Sequence, residues 1–411
     1  MTMFLLRGNM QAALLAILGL SWVQTPVAHL ISPSMLHHGP ILQQVTTAVG
    51  NYSEVYQFYS VTYTTTRSKE FCVMAASASA YGFRLNVLGE ARQSNFERDR
   101  YLDKLWALKE FMTGVINNTA ADMKARTLIL FLDAYDVLVT GTPQTLVKRF
   151  LKSKQKILFS AETGCISTKE RLAFKVNTDC DPNWPFDEQT TTPFLNSGVY
   201  VGFVSEVDQL LTAAKIEYES YIQKLQGDYG PLQPITTTTE TSKGPWDPYL
   251  LGTEQQLIGE LFAHRLVHGG QKLRNAIGMS LDYHSRIFVS LYQMEIGREI
   301  QISKNGRALY EPHLPRCDFW SDGHSRNKCL QKSKRHGMTR PVVFHVNGPK
   351  KDNFLALASK VRWPSHEELW ESEIFSVDLS LRLSLKEMCA LHTDELACGS
   401  NIGHCLAQNT L

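Results

Sequence analysis

The sequence has no C-x-x-C pair, no internal repeat and, beyond its first thirty residues, no apolar run long enough to cross a bilayer. The first absence argues against a zinc ribbon or a thioredoxin-like redox centre. The second argues against a repeat architecture. The third confines any membrane attachment to the N-terminus. An excess of charge of one sign is missing too. Lys and Arg number 42 against 40 Asp and Glu, a formal net charge of +2. That balance gives no reason to expect a nucleic-acid partner, yet it leaves room for a local basic site for phosphate. There is no retention signal of the Lys-Asp-Glu-Leu type at "AQNTL".

What is present fits a secreted or luminal globular protein. The chain has 411 residues, 43% hydrophobic and 20% charged. That is enough for one large α/β domain, or two smaller ones, with a substantial core. Residues 1–28 carry one basic residue, Arg7, then an apolar run from Ala12 to Val23 and small residues near Ala28. This is the layout of a signal peptide, and an uncleaved signal anchor is the alternative. The expected location is the endoplasmic reticulum or Golgi lumen, or outside the cell, with a membrane involved only if the signal is not cleaved. The cysteines number eight, and an even count in a secretory chain favours disulfides. Cys165–Cys180, Cys317–Cys329 and Cys398–Cys405 are plausible neighbouring pairs, with connectivity left open. Asn51-Tyr52-Ser53 and Asn117-Asn118-Thr119 are glycosylation sequons.

Residues 29–68 are polar and rich in Thr and Tyr, without a clear period, and read as an N-terminal extension. "FCVMAASA" (71–78) and "FRLNVLG" (83–89) are strand candidates. "RDRYLDKLWALKEFMTGV" (98–115) places apolar residues at helical spacing. "TPQTLVKRFLKS" (142–153) reads as a helix capped by Thr142 with Pro143 at its first position. Strands are expected at 156–162, 193–205 and Val342 to Val346, and helices at 205–226 and 252–266. "SLDYHSRIFVSLYQ" (280–293) reads as strand or mixed, and 230–248 as a loop. The alternation argues for a mixed α/β sheet of the doubly wound type. Residues 69–375 are expected to form the main domain, and 376–411 a small Cys-containing tail.

One stretch raises a chemical question. "LILFLDAYDVLVTG" (128–141) begins as a buried strand and then sets Asp133 and Asp136 where that strand should end. Burying a carboxylate without a partner is costly, so this placement calls for a cation or a hydrogen-bond network. Asp-x-x-Asp in a tight turn suits one hard divalent ion, Mg²⁺ or Mn²⁺. In open α/β sheets ligands bind beyond the carboxyl ends of strands. A second strand end, in "VVFHVNGPKK", offers His345, Asn347, a turn at Gly348 and Lys350 or Lys351. Imidazole favours Mn²⁺ over Mg²⁺. Together the two strand ends describe a metal–diphosphate site, the chemistry of nucleotide-sugar transfer.

Five blocks in order, "FLDAYDVLVTGTPQTLVKRF", "ILFSAETGC", "PFLNSGVYVGF", "LDYHSRIF" and "VVFHVNGPKK", resemble the glycosyltransferase domain of the procollagen lysyl hydroxylase family over roughly residues 70–355. The resemblance implies a GT-A type fold, a Mn²⁺ ion and a UDP-sugar donor such as UDP-glucose or UDP-galactose. It implies Asp133, Asp136 and His345 as metal ligands. Tyr135 would lie beside the uridine. Leu88 and Gly89 would form the first nucleotide-contacting loop. Asn347, Gly348 and Lys351 would meet the diphosphate. Lys104 matches a basic residue on the first helix, and Asn196 would sit near the sugar.

The chain also departs from that family. Where the family has an acidic run there is "GTEQQL", with Glu254 as its only carboxylate. Ile166 replaces a Trp, and residues 230–250 are an insert. The changes fall on the sugar and acceptor side, so Glu254 is a candidate catalytic or sugar-binding carboxylate and the acceptor is left open. The family's hydroxylase chemistry needs His-x-Asp and a distant His; His392-Thr393-Asp394 has the spacing but only a short stretch follows it here. The expected activity is Mn²⁺-dependent transfer of a hexose from a UDP-sugar to a hydroxyl on a glycan or a hydroxylysine-like side chain. The alternative is a catalytically silent, nucleotide-sugar-binding or lectin-like luminal protein, and a third is a hydrolase using the same clamp.

Overall fold

The structure is a computed structural model that describes residues 39–49, 52–92, 100–162, 192, 194–229, 254–263, 270–292, 300–303, 307–310, 339–348, 353–361 and 369–390. The N-terminal signal, the insert at 230–250, Ile166, Lys350, Lys351 and six of the eight cysteines lie outside these residues.

The described strands are β1 (Gln43–Val49), β2 (Tyr52–Tyr63), β3 (Leu85–Leu88), β4 (Thr127–Asp133), β5 (Val137–Val139), β6 (Ile157–Glu162), β7 (Phe194–Phe203), β8 (Met279–Leu281), β9 (Phe288–Ser290), β10 (Ile300–Ile302), β11 (Ala308–Tyr310), β12 (Val343–His345), β13 (Glu373–Ser376) and β14 (Leu381–Ser384). The helices that frame the site are α1 (Lys69–Ala80), α2 (Arg100–Asn118), α3 (Ala121–Lys124), α4 (Pro143–Ser153), α5 (Val204–Tyr229), α6 (Glu254–Ala263) and α7 (Gly270–Ile277). The main sheet is mixed, in the order β14-β13-β3-β2-β4-β7-β6-β8, with β1 paired to β2. A smaller sheet, β5-β12-β9, stands beside it. This mixed sheet flanked by helices is a GT-A-like fold.

The apolar run of β4 is continuous because both faces of the sheet are covered. Leu128, Leu130 and Leu132 enter one core with α1 and α4, while Ile129 and Phe131 enter the other with α2, α5 and α6. The helix at 142–153 forms as its signals predict. Thr142 accepts a hydrogen bond from the Thr145 N–H, Pro143 opens the helix, and Lys154 ends it in the left-handed region at φ 60°.

Three segments differ from the expectation. "FCVMAASA" is helical, within α1, and not a strand. Its side chains from Phe71 to Ala80 are all buried, so no apolar–polar period marks it. The Ser68 cap on the Phe71 N–H and the alanines decide for helix. The segment read as an extension supplies β1 and β2, and β2 lies inside the sheet between β3 and β4. Its Thr and Tyr residues are strand formers, and β2 buries the polar side chains of Ser60 and Thr62. Finally, β13 runs parallel to β3 and carries β14 with it, so the segment around residue 376 is built into the main sheet. Cys72 of α1 is bonded to Cys389, 317 residues away, a pairing that joins neither to a near neighbour in sequence.

Candidate functional site

The register of the small sheet brings the two acids and the histidine together. In β5 and β12, Val137 is opposite His345, and the Val346 N–H donates to the Asp136 carbonyl at 2.7 Å. Asp133 ends β4, and Asp136 precedes β5 in the same tight turn. His345 Nε2 lies 3.1 Å from Asp136 Oδ1 and 3.6 Å from Asp133 Oδ2. One ligand atom from each of the three residues falls within 4.8 Å of the others, a cluster able to hold a divalent cation.

The backbone of β7 makes this proximity possible. A Cβ on Gly198 would lie 2.2 Å from His345 Cε1 and 2.5 Å from Asp133 Oδ2, so glycine there lets these two side chains close over β7. Two residues earlier, Asn196 fixes the imidazole. Its Oδ1 accepts from the Gly198 N–H at 3.0 Å and lies 2.8 Å from His345 Nδ1. Its Nδ2 donates to Glu162 Oε2 at 3.0 Å. With the amide oriented by those partners, the proton belongs on Nδ1, and Nε2 turns its lone pair to the acids. Burial by itself would depress the His345 pKa, but Asp136, then Asp133 and Glu162, reverse that and hold it above the ordinary value.

Lys104, from α2, supplies the site's ammonium. Its Nζ lies 3.0 Å from Asp133 Oδ1 and pairs more closely still with Glu254 Oε1. Burial opposes its charge, but these two carboxylates outweigh that and raise its pKa. Asp133 is thereby divided, one oxygen toward Lys104 and the other toward His345. Glu254 opens α6 and is 7% exposed; its Oε2 has no hydrogen-bond partner among the described residues.

Glu162, which sequence reasoning passed over, connects the rest. It ends β6, where the pairing with β7 slips by a bulge between Phe159 and Ser160. Its carboxylate accepts from Asn196, from Asn347 Nδ2 at 2.5 Å, from Gln255 Nε2 at 2.6 Å and from Ser290 Oγ at 3.3 Å. Burial raises its pKa, and the donors only partly offset this. The signal for it is the one that marks Asp133, an apolar strand that ends on an acid.

The remaining predicted residues fall nearby in two groups. Asn347 is turned inward, donating to Glu162 and accepting from Ser290 Oγ at 2.6 Å. Gly348, at φ 74°, carries the chain over the Tyr292 ring, which a Cβ would meet at 2.3 Å. Leu88 is the last residue of β3, and Gly89 follows it. The Leu88 carbonyl accepts from the Thr64 N–H at 2.9 Å. Tyr135 is 36% exposed, its hydroxyl 2.7 Å from Thr64 Oγ1. Lys351 lies outside the described residues. The structure therefore brings Asp133, Asp136, His345, Lys104, Asn196 and Glu254 into one network, and joins Asn347 to it through Glu162.

Among the described residues, four carboxylates, Asp133, Asp136, Glu162 and Glu254, share this site with the Lys104 ammonium and the His345 imidazole. Such a donor set suits a divalent cation.

Comparison with known proteins agrees with this geometry. Residues 54–223 match the family described as the PLOD GT domain. The Homo sapiens multifunctional procollagen lysine hydroxylase and glycosyltransferase LH3 is 35% identical over 229 residues, 54% of this chain and 21% of that protein. The Drosophila melanogaster procollagen-lysine,2-oxoglutarate 5-dioxygenase is 28% identical over 280 residues, 67% of this chain and 28% of that protein. The Caenorhabditis elegans multifunctional procollagen lysine hydroxylase and glycosyltransferase is 24% identical over 243 residues, 58% of this chain and 24% of that protein. The match thus spans between 21% and 28% of each relative's length. On that match, residues 54–223 carry a glycosyltransferase domain of the PLOD type, homologous to that of the multifunctional lysyl hydroxylase–glycosyltransferases.

Proposed function

We propose that this protein is a Mn²⁺-dependent glycosyltransferase that moves a hexose from a UDP-sugar to a hydroxyl acceptor in the secretory pathway. The observation that carries the reading is the meeting of Asp133, Asp136 and His345 at the strand ends of a glycosyltransferase domain. Asp133 Oδ2, Asp136 Oδ1 and His345 Nε2 are the atoms that would hold the ion, and two carboxylates with one imidazole suit Mn²⁺. Bound there, Mn²⁺ supplies positive charge against the diphosphate that departs.

The chain's own residues have separable parts in this reading. Asn196 keeps the proton on Nδ1 of His345 and so keeps Nε2 free to bind metal. Lys104 offsets the Asp133 and Glu254 charges when no donor is bound, and it would face the diphosphate when one is. Lys351 and the turn at Gly348 would take up charge on the leaving UDP. Tyr135 and the Leu88–Gly89 loop would bear on the uridine. Glu254, buried with one oxygen uncommitted among the described residues, would accept a hydrogen bond from the sugar. A luminal location accords with the apolar N-terminus and the Cys72–Cys389 disulfide. Among the described residues no helix is long and apolar enough to cross a membrane.

The test is UDP release from a panel of UDP-sugars, with and without Mn²⁺, by the whole protein and its Asp136→Ala variant. The expected result is Mn²⁺-dependent release from one donor, lost by at least a hundredfold in the variant. UDP binding without release from any donor would support a silent, lectin-like protein. If neither appears, the metal–diphosphate reading is wrong.

A further inference from the structure

We infer that Asp378, in the turn between β13 and β14, is a positioning residue that fixes the loop after β3 at the nucleotide end of the donor site. The inference rests on the donor reading above, which places Leu88 and Gly89 against the nucleotide.

The sheet puts Asp378 there. Ser376 of β13 is paired with Val87 of β3, and the Val377 N–H donates to the Val87 carbonyl at 2.9 Å. Both strands run parallel, so their ends emerge on the same side, and the residue after Val377 meets the residue after Leu88. Asp378 Oδ2 accepts from the Gly89 N–H at 3.0 Å and from the Ala91 N–H at 3.3 Å. A single carboxylate oxygen receiving two N–H groups from one turn holds that turn's shape through charge-assisted bonds. Between them, Glu90 is tied to Arg67 at 2.6 Å, so the loop is held from two directions.

What the loop holds is the path toward the acids. Gly89 has φ 94°, and a Cβ there would lie 2.6 Å from the Tyr63 ring and 2.8 Å from the Thr64 carbonyl oxygen. The loop backbone therefore rests directly on Tyr63 and Thr64. Thr64 donates its N–H to Leu88 and shares a hydrogen bond with the Tyr135 hydroxyl. Tyr135 stands between Asp133 and Asp136 in the chain. Asp378, Gly89, Leu88, Thr64 and Tyr135 thus form one continuous set of contacts. The charge of Asp378 is felt along it: burial first, then carboxylates including Asp103 and Asp378, push the Tyr63 phenol up to about 12. Removing the Asp378 carboxylate leaves the β3–β13 pairing and the core beneath it in place, and frees only the loop.

The experiment titrates UDP, with Mn²⁺ present, into the full chain and into Asp378→Ala, Asp378→Asn and Leu379→Ala. Leu379 is the exposed neighbour in the same turn. Asp378→Ala should weaken UDP binding about tenfold, the worth of one charge-assisted hydrogen bond. Asp378→Asn keeps an acceptor oxygen and should recover most of that loss. Leu379→Ala should bind as wild type, and the affinity for Mn²⁺ alone and the melting temperature should hold in all variants. Wild-type UDP affinity in Asp378→Ala overturns the inference. So does an equal loss in Leu379→Ala, or a loss of Mn²⁺ affinity alongside that of UDP, since either marks a general loosening of the hairpin. If the wild type binds Mn²⁺ but not UDP, the donor reading itself fails and this inference falls with it, a result distinct from a difference among variants.

Discussion

His345 is where proton and metal compete for one lone pair. Its Nδ1–H is committed to Asn196, so a second proton must enter at Nε2, the atom facing Asp133 and Asp136. Those acids hold its pKa above the ordinary 6.5 despite burial. The sign follows directly. A raised pKa keeps the imidazolium to higher pH, so metal affinity falls as pH falls, beginning above pH 6.5. Mn²⁺ titrations between pH 8 and pH 6 should lose about tenfold in affinity per pH unit once below that pKa, one proton being displaced per ion. A flat profile would remove His345 from the ligand set. At this scale the sequence was readable where a charge interrupts an apolar run, as at Asp133 and Asp136. Glu162 has the same signature in "KILFSAE", yet a lone acid gives no hint that four side chains converge on it. Asn347 is the converse. Its place before Gly-Pro-Lys-Lys suggests a phosphate contact but gives no hint that one N–H of its amide goes to Glu162 and its oxygen to Ser290.

The site exists because β4, β7 and β12 come within side-chain reach, and Gly198 sets how near. Gly198→Ala would force His345 and Asp133 aside, since the new methyl would stand 2.2 Å from one and 2.5 Å from the other. Overpacking of this kind costs about 1–3 kcal/mol. The variant should melt at lower temperature and, more tellingly, show no upward shift when Mn²⁺ is added; a preserved shift would mean that β7 can retreat. Elements with a period or a cap, such as α2 and α4, were legible in sequence. The fully buried α1 was not. α1 has no polar face to reveal its turn, and the "LILFL" of β4 reads correctly as a strand only because it is short and ends on acids. β2 was hidden for a different reason. Its buried Ser60 and Thr62 break the apolar pattern that marks a central strand.

Across the whole molecule, residues far apart in the chain are neighbours. β2, β3 and β13 lie side by side, and Cys72 is bonded to Cys389 across 317 residues. Removing a native disulfide costs about 2–5 kcal/mol, so Cys389→Ser should lower the melting temperature, and reductant should lower that of the wild type by more than that of the variant. Equal melting of the two in the absence of reductant would show that strand pairing suffices. This long-range bond also has a consequence for biosynthesis. A chain made at about 5–20 residues per second delivers Cys389 roughly 15–60 s after Cys72, given the 317 residues between them. Cys165, Cys180, Cys317 and Cys329 all emerge within that interval. Any of them can reach an oxidant, or Cys72 itself, before the correct partner has been translated. Early burial of Cys72 within a folded α1 would keep it from those thiols until Cys389 is made; without it, the native bond is reached by later thiol exchange.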